Sequence, residues 1–421
     1  MSGMQATSLI QARRLIADLF HVGLASTAGD SRVAAFLADH EPVGPVSVIA
    51  LGKAASSMAG GSIHALGPRL HRGLLVTKSG HTSLLLLQDV RFTCLEAGHP
   101  LPDQRSLAAG AKLLQFISDT PREEALLFLI SGGTSSLIEV LDETADLEDL
   151  QRLNQWLLGS GLGISEMNRI RRTVSCIKGG QLLNHLGDHP ATALLISDVL
   201  DDDPAVIGSG LLMPPTGEAE LPDGLPGWIR RLATAVDKDT ATLSAHRKVD
   251  HHIIARLQNA LDAVARSARE QGLKAKTVNS ALQGDALEAA RSIASFLQRQ
   301  DPGVYLWGGE TTVCLPPQPG RGGRNQSLAL AAAIGMQDSR DCVLLAAGTD
   351  GTDGPGNVAG AVVDGGTVSR GGGRQAALDA LRHADAGSFL EASGDLLLTG
   401  CLLYTSDAAD DNRVVGGGGG G

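Results

Sequence analysis

The stretch VSVIALGKAASSMA, residues 46–59, decides the fold class of this 421-residue chain. Six residues, Val46–Leu51, form an almost unbroken apolar run that ends in Gly52 and Lys53, and an Ala/Ser-rich helix is expected to follow. A strand that is apolar along its whole length is typical of a parallel sheet with helices on both faces. The stretch therefore predicts a buried strand, a glycine turn and a helix.

The same alternation of apolar strand and polar loop recurs along the chain. Further strands are predicted at residues 73–77, 125–130, 191–196, 304–307 and 342–346, and a loop rich in Gly, Ser or Asp follows most of them. In open α/β sheets ligands bind beyond the carboxyl ends of the strands, so these loops are the candidate binding segments. We predict an α/β protein with two α/β/α layered domains, mostly parallel sheets and an interdomain cleft.

Chain length indicates two domains, because 421 residues exceed one ordinary core. A Pro/Gly-rich segment between residues 211 and 240 indicates the boundary, and a long helix is predicted to begin the second block. We predict an N-terminal α/β (Rossmann-like) domain at 1–235 and a C-terminal α/β domain at 241–400. Residues 401–421 close in six glycines and resemble a translated sequencing adapter, so we predict a non-native tail without a packed position.

Charge and composition argue against several classes of protein. The net charge of −11 does not favour binding to nucleic acid or to an anionic membrane. Arg13, Arg14 and Asp18 interrupt the segment in which a signal peptide would need an apolar run, and no uncharged apolar window of 18 residues exists. Five scattered cysteines without a CxxC pair favour a reducing compartment. We therefore predict a cytoplasmic protein.

A second informative stretch is YLWGGETTVCLPPQPGRGGRNQSLALAAA, residues 305–333. A short strand breaks into a turn that carries Glu310, and glycines precede Arg324, Asn325 and Gln326 at the expected start of an Ala/Leu-rich helix. Glycine hinges beside a helix start suit a backbone that approaches an anion, and arginine there suits a carboxylate or a phosphate. An ordinary surface loop is the alternative.

Two loops of the first domain carry candidate phosphate ligands. Lys53 precedes a helix start, where anions are already favoured, although its surroundings do not form a Walker A loop. Consecutive N–H donors and hydroxyls in a second loop suggest a phosphate cradle. Its members are Ser131, Gly132, Gly133, Thr134 and Ser135. The alternatives are a solvated lysine and a plain flexible turn.

Two acidic loops are candidates for metal binding and proton transfer. The loop at residues 197–204 holds four aspartates, led by Asp198, and such crowding suits Mg²⁺ or a Mg-nucleotide, with a solvated acidic turn as the alternative. Asp350 and Asp353 lie three residues apart on a glycine-rich loop. One could act as general base toward a substrate hydroxyl and the other as metal ligand or orienting group, with Asx turns as the alternative.

A basic helix face and three histidines complete the candidates. The spacing of Arg171, Ser175 and Lys178 predicts one helix face that attracts an anion, although a surface ion-pair helix fits equally well. His99, between Gly98 and a proline, is predicted to shape a turn rather than to act as a base. No metal site is predicted at residues 251–252.

Eight segments in this order resemble the glycerate 2-kinase family, which combines an N-terminal DUF4147-type domain with a C-terminal MOFRL domain. They span roughly residues 45–365 and read ALGKAASSMA, GHPLPD, LISGGTSSL, NRIRRTVSCIKGGQL, LISDVLDDDPAVIGSG, WGGETTV, GRGGRNQSLALA and AGTDGTDGPGNVAGA. The resemblance implies an ATP-dependent kinase that phosphorylates the 2-hydroxyl of D-glycerate and yields 2-phosphoglycerate. It implies ATP and Mg²⁺ as cofactors, D-glycerate as substrate, and neither nucleic acid nor membrane as partner. A homodimer is compatible with it.

The resemblance also implies roles for individual residues. Lys53 and Arg324 would form a charged clamp on the transferring group or the substrate carboxylate, and Asp350 would accept the hydroxyl proton, with Asp353 as its substitute. Residues 131–134 would cradle nucleotide phosphates, while Asp198 and Glu310 would help to hold Mg²⁺ or water. The binding residues are completed by Ser135, Arg171, Lys178 and Asn325.

Two other functions remain open from the sequence. An NAD(P)H-dependent hydroxypyruvate reductase is disfavoured, because no GxGxxG fingerprint followed by a ribose-binding acid is found. A non-catalytic sugar-acid sensor would use the same two-domain design.

Overall fold

The structure is a computed structural model that describes residues 2–160, 162, 164–199, 201–213, 221–222, 224–235, 249–279, 281–337, 339, 341–354 and 357–398. By its internal contacts the chain divides into two compact units. The N-terminal unit comprises Leu19–Ala281 and Gly303–Gly309, and the C-terminal unit comprises Met1–Asp18, Leu282–Pro302 and Glu310–Gly421, as far as these are described. The predicted tail at residues 401–421 lies outside the described residues.

A parallel sheet forms the centre of the N-terminal unit. The strands of this unit are β1 (Val46–Leu51), β2 (Leu70–Lys78), β3 (Phe92–Ala97), β4 (Ala125–Ile130), β5 (Ala191–Ile196), β6 (Asp250–Ala255), β7 (Ala275–Thr277) and β8 (Val304–Leu306). The first six pair in the order β3-β2-β1-β4-β5-β6, all parallel, and β7 pairs in parallel with β8. This confirms the predicted α/β class with parallel strands.

Helices accompany the strands of the N-terminal unit. Helix α1 (Ser2–Ser26) contributes residues to both units. The helices that follow are α2 (Gly29–Asp39), α3 (Ala55–Leu66), α4 (Leu84–Gln88), α5 (Gln104–Ser118), α6 (Thr134–Leu137), α7 (Leu147–Gly159), α8 (Ile164–Thr173), α9 (Gly227–Ala235) and α10 (Leu257–Glu270). Among the described residues, no helix combines the length and the apolarity that crossing a bilayer requires.

The unbroken apolar run of β1 is explained by two cores, one on each face of the sheet. Ile49 and Leu51 point into the core that contains residues of α5, whereas Val48 and Ala50 point into the core that contains residues of α2 and α3. All four side chains are fully buried. A strand that is covered on both faces has no position at which a polar side chain would reach water.

Strand β6 corrects the sequence prediction for the start of the second block. A long helix was expected there, but Asp250–Ala255 is a strand that pairs with β5, and α10 begins only at Leu257. The helical pattern of the segment therefore applies only from Leu257 onward, and the residues before it pair in the sheet. Because β6 completes the sheet, the N-terminal unit extends to Ala281, beyond the predicted boundary at residues 235–241.

The C-terminal unit is built around a small sheet. Its strands are β9 (Val343–Ala347), β10 (Gly360–Asp364) and β11 (Leu396–Leu397), and its helices are α11 (Ala286–Leu297), α12 (Arg324–Gly335), α13 (Thr367–Arg370), α14 (Arg374–Arg382) and α15 (Ala386–Ser393). The strands pair antiparallel in the order β11-β10-β9, so the expectation of a mostly parallel sheet is wrong here. No helix occurs in the described part of the β9–β10 connection, and a parallel pair would need such a crossover.

A buried charge cluster lies at the end of β10. Arg370 and Arg13 both donate hydrogen bonds to the carboxylates of Asp364 and Asp395, each 1% exposed. Burial tends to raise the pKa of Asp364, but hydrogen bonds from Arg370 and the amide of Gly366, with the charges of both arginines, outweigh this effect. The pKa is therefore lowered. Through Arg13, the cluster links the N-terminal part of α1 to the small sheet of the C-terminal unit.

Candidate active site

The strand order of the large sheet indicates where a binding site is expected. The order changes direction between β1 and β4, whose last residues, Leu51 and Ile130, are paired. In doubly wound sheets ligands bind at this switch point, outside the carboxyl ends of the strands. The two loops that begin there are the Gly52–Lys53 turn and the loop at residues 131–135, hereafter the 131–135 loop.

These two loops are joined by hydrogen bonds between their backbones and the Ser131 hydroxyl. The amide of Lys53 donates to the carbonyl of Gly132 at 2.9 Å, and the amide of Ala54 donates to Oγ of Ser131 at 3.0 Å. Gly52 has a φ of +116°, and a β-carbon there would overlap Ser131 Oγ. Glycine is therefore required for the two loops to approach this closely.

Lys53 and His99 flank the second glycine of the 131–135 loop. Gly133 has a φ of +86°, and a β-carbon at this residue would lie 3.0 Å from Cγ of Lys53 and 3.2 Å from Nε2 of His99. A β-carbon at Gly132 would overlap the Asp198 carboxylate. The structure thus gathers a lysine, a histidine and an aspartate around two adjacent glycines.

His99 was interpreted from the sequence as a turn residue and was left out of the site. Its ring lies beside Gly133 because Ala97 ends β3, which pairs with β2 in the large sheet. The sequence signal was present, since His99 follows a strand end as Lys53 does, but β3 itself was not predicted.

The electrostatics at this switch point favour an anion. Helix α3 begins at Ala55, and its N-cap residue Ala54 provides no capping side chain, which leaves first-turn N–H groups for solvent or a ligand. Lys53 lies two residues before this start. The hydroxyls of Ser131 and Thr134 are turned to the backbone: that of Ser131 donates to Leu51 O at 3.3 Å, and that of Thr134 donates to Ser131 O at 2.7 Å.

The acidic loop after β5 does not collect its aspartates at one point. Asp198 lies beside Gly132, whereas Asp203 accepts a hydrogen bond from the amide of Ala205 at 2.9 Å and Asp202 lies 3.7 Å from Arg256. Within the described part of the chain, no three His, Cys, Asp or Glu side chains are grouped closely enough to hold a metal ion. The carboxylate that reaches the 131–135 loop is that of Asp198.

Arg171 and Lys178 do not share a helix face, so that prediction is wrong. Helix α8 ends at Thr173, and Ser175 forms an isolated bridge with Leu141 instead. Arg171 is half-buried and donates to the side-chain oxygens of Asn154 and Asn168, and burial lowers its pKa. Lys178 is buried in an ion pair with Glu139. The helical spacing of three and four residues brings side chains together only within a helix, and α8 ends before Ser175 and Lys178.

In the C-terminal unit, the candidate residues gather at the start of α12. Arg324 opens this helix and forms an ion pair with Glu310 at 2.5 Å, with both side chains about half exposed. Gly348 lies next to the side chains of Asp350 and Asn325. A β-carbon added at Gly348 would be 3.1 Å from Asp350 Oδ1 and 3.6 Å from Asn325 Nδ2. Asp350 is half-buried and accepts hydrogen bonds from the amide and hydroxyl of Thr352 at 3.2 and 3.3 Å.

Asp353 has a different environment from Asp350. Its side chain is buried, and each of its carboxylate oxygens accepts two hydrogen bonds at 2.7–3.1 Å, from the main-chain and side-chain N–H groups of Asn325 and Gln326. The N-cap residue Gly323 has no side chain, so Asp353 provides the capping acceptor for α12. Asp353 therefore holds the helix start, which leaves Asp350 as the aspartate of this loop with the more open carboxylate.

Comparisons with known proteins show the family of this chain. Residues 15–222 match the family described as a domain of unknown function (DUF4147), and residues 303–404 match the MOFRL family. A D-glycerate 2-kinase of Thermotoga maritima is 36% identical over 376 residues, which cover 84% of this chain and 87% of that protein. A protein of Agrobacterium vitis that is named as a hydroxypyruvate reductase is 33% identical, with 93% of this chain and 92% of that protein covered.

The fold shows the same relationship. The crystal structure of a glycerate kinase from Thermotoga maritima matches this structure with a TM-score of 0.79 and 32% sequence identity, covering 93% of this chain and 97% of that chain. Both the sequence and the fold thus agree over most of the length with proteins named for glycerate phosphorylation. This chain therefore belongs to the glycerate 2-kinase family.

Proposed function

We propose that this protein transfers the γ-phosphoryl group of ATP to the 2-hydroxyl of D-glycerate, with 2-phosphoglycerate and ADP as products. The observation that carries the proposal is the pair of loops at the β1/β4 switch point, where Lys53 and the 131–135 loop adjoin the start of α3. Phosphoryl transfer depends mainly on positioning and on neutralising phosphate charge, and this arrangement supplies both.

The nucleotide phosphates are assigned to the 131–135 loop. Backbone N–H groups at a helix start and in a glycine turn bind phosphate without a side-chain hydroxyl. This matters because the Ser131 and Thr134 hydroxyls already serve the protein backbone. Lys53 then provides the positive charge on the transferring group.

Asp198 is proposed as the protein ligand for Mg²⁺. Proteins commonly hold Mg²⁺ through one or two carboxylates together with substrate phosphates, so a single carboxylate beside the 131–135 loop fits a Mg-nucleotide. When bound, Mg²⁺ would neutralise charge on the phosphates. A cage made of protein side chains alone does not fit the described residues, where no group of three such ligands occurs.

Arg324 and Asp350 are assigned to the acceptor. Arg324 suits the carboxylate of D-glycerate, and a bound anion would compete with Glu310 for its guanidinium. Asp350 receives the proton of the 2-hydroxyl, because the carboxylate of Asp353 is fully used at the start of α12. We place the activity in the cytoplasm, since the described cysteines Cys94, Cys314 and Cys342 are thiols that form no disulfide.

One assay decides between this function and the two alternatives. The protein is incubated with ATP, Mg²⁺ and D-glycerate, and the product is identified as 2- or 3-phosphoglycerate by its coupling to enolase with and without phosphoglycerate mutase. We expect 2-phosphoglycerate. NAD(P)H oxidation with hydroxypyruvate in the absence of ATP would establish the reductase instead, and binding of D-glycerate without turnover would establish a sensor.

A further inference from the structure

A buried ion pair lies directly behind the 131–135 loop. Lys178 and Glu139 pair through Nζ and Oε2, and their side chains are 3% and 1% exposed. Glu139 is further engaged, because its Oε1 accepts hydrogen bonds from the Ser175 hydroxyl at 2.5 Å and from the amide of Val140 at 3.1 Å. A lysine this deeply buried and this fully paired is unsuited to direct contact with a ligand.

The ammonium of Lys178 also reaches the 131–135 loop itself. Its Nζ donates a hydrogen bond to the carbonyl of Ser135 at 2.8 Å. Helix α6 begins at Thr134 and has four residues, and the Thr134 carbonyl accepts the amide of Ile138 at 3.2 Å. So short a helix leaves carbonyls of its own to be satisfied by other groups. Lys178 supplies the partner for one of them.

The residues after Lys178 hold a second segment beside the same loop. The amides of Gly179 and Gly180 donate to the carbonyls of Ser209 and Gly210 at 3.0 and 2.7 Å. The hydroxyl of Ser209 in turn forms a hydrogen bond with the hydroxyl of Ser135. Lys178 is therefore at the centre of a network that reaches Ser135 from two directions.

We propose that Lys178 is a positioning residue that fixes the 131–135 loop for nucleotide binding, with Glu139 as the carboxylate that keeps the buried ammonium in place. This assignment rests on the proposed function for the identity of the bound nucleotide. It replaces the role of direct ligand for Lys178 that the sequence suggested. It assigns a role to Glu139, which no motif pattern singled out.

The test compares two variants that differ by one donor. Glu139→Gln removes the carboxylate that holds the Lys178 ammonium but retains the ammonium as a donor. The double variant E139Q/K178M also removes the donor to Ser135, at similar side-chain volume and without an unpaired buried charge. The Michaelis constants for ATP and for D-glycerate are measured for both, together with amide hydrogen exchange across residues 131–136. Relative to the unmodified protein, we expect the double variant to raise KM for ATP on the order of tenfold and to speed exchange in the loop, and E139Q to change both in the same direction. KM for D-glycerate should stay within about twofold, since its ligands lie elsewhere.

Ser47→Ala provides the stability control. The Ser47 hydroxyl donates to the buried Glu124 carboxylate at 2.6 Å near the amino end of β1, so this change removes a buried hydrogen bond away from the loop. It should lower stability without changing KM for ATP. If E139Q alone does not fold, the double variant is compared with the unmodified protein directly.

Each outcome has a defined meaning. Unchanged KM for ATP and unchanged loop exchange in the double variant would overturn the positioning role. A rise in KM for D-glycerate alone, with faster loop exchange, would keep the positioning role and overturn the assignment of the loop to the nucleotide. An unmodified protein without kinase activity would refute the proposed function, and the exchange measurement would still decide whether Lys178 orders the loop.

Discussion

Replacing Asp353 by alanine should destabilise the C-terminal unit rather than act on the chemistry. The substitution removes the carboxylate that accepts the main-chain N–H groups of Asn325, which is part-buried, and Gln326, which is buried, at 3.0 and 2.7 Å. An unsatisfied buried donor costs about 1–3 kcal/mol, and the part-buried one costs less, so together the two cost about 2–4 kcal/mol. This exceeds an ordinary helix-cap substitution of about 1 kcal/mol.

Asp350→Ala is the matched comparison, since it changes the same residue type three positions away. Asp350 accepts hydrogen bonds from Thr352 at 3.2 and 3.3 Å within one turn, and loss of such local bonds changes stability by about 1 kcal/mol. As the proposed base, however, it should lower kcat by about 10²–10⁴. Asp353→Ala should therefore have the larger effect on stability, and Asp350→Ala the larger effect on kcat.

The assay combines urea denaturation with amide hydrogen exchange across α12, because a chain of two units need not unfold in one step. We expect loss of protection at the start of α12 in Asp353→Ala and normal protection in Asp350→Ala. The opposite pattern, with α12 protected and kcat abolished in Asp353→Ala, would show that Asp353 takes part in the chemistry. It would also show that the bonds to Asn325 and Gln326 are dispensable.

Three further predictions concern charge, pH and space. Lys53→Ala and Arg324→Ala should each lower kcat/KM about a hundredfold, or about 3 kcal/mol, without loss of secondary structure, and steady-state rates at the wild-type level in both would refute the clamp. The pKa of Asp364 is lowered in the folded protein. The ionised carboxylate therefore stabilises the fold above its unfolded pKa of about 3.9, and this stabilisation is lost as pH falls through the folded pKa. Asp364→Asn should lower the free energy of unfolding more at pH 7 than at pH 3, as denaturation curves at both pH values would measure. Gly132→Ala should raise KM for ATP while circular dichroism stays normal, because the new methyl group would displace the Asp198 carboxylate; an unchanged KM would contradict the placement of the nucleotide at this loop.

Central strands were predictable because burial on both faces leaves a simple pattern in the sequence. The bounds predicted for β1, β4 and β5 agree with the structure, and all three lie inside the six-stranded sheet. Strands β3 and β6 were missed, and both lie at the edges of that sheet. Edge strands are half-exposed and mix polar with apolar residues, as the sequences FTCLEA and DHHIIA do.

The arrangement of the candidate site was predictable where it follows a central strand and unpredictable where it depends on distant contacts. Lys53 and the 131–135 loop come directly after β1 and β4, so their neighbourhood follows from strand pairing. His99 was missed together with the strand that places it. The burial of Lys178 could not be foreseen, because its partner Glu139 is 39 residues away in the chain and the intervening helix ends before Ser175.

The two aspartates at residues 348–354 show that local sequence alone does not predict the role of each residue. Both occur in the same setting, Gly-Thr-Asp-Gly and Gly-Thr-Asp-Gly again, so no neighbour in the chain distinguishes a base from a helix cap. The distinction arises from α12, whose N-cap residue Gly323 lacks a side chain and therefore needs an acceptor from another segment. Asp353 meets that need across 27 residues of sequence, and its carboxylate is thereby occupied. Asp350 then remains the better candidate for proton transfer, because Asp353 caps α12. This difference between the two aspartates arises only in the folded chain.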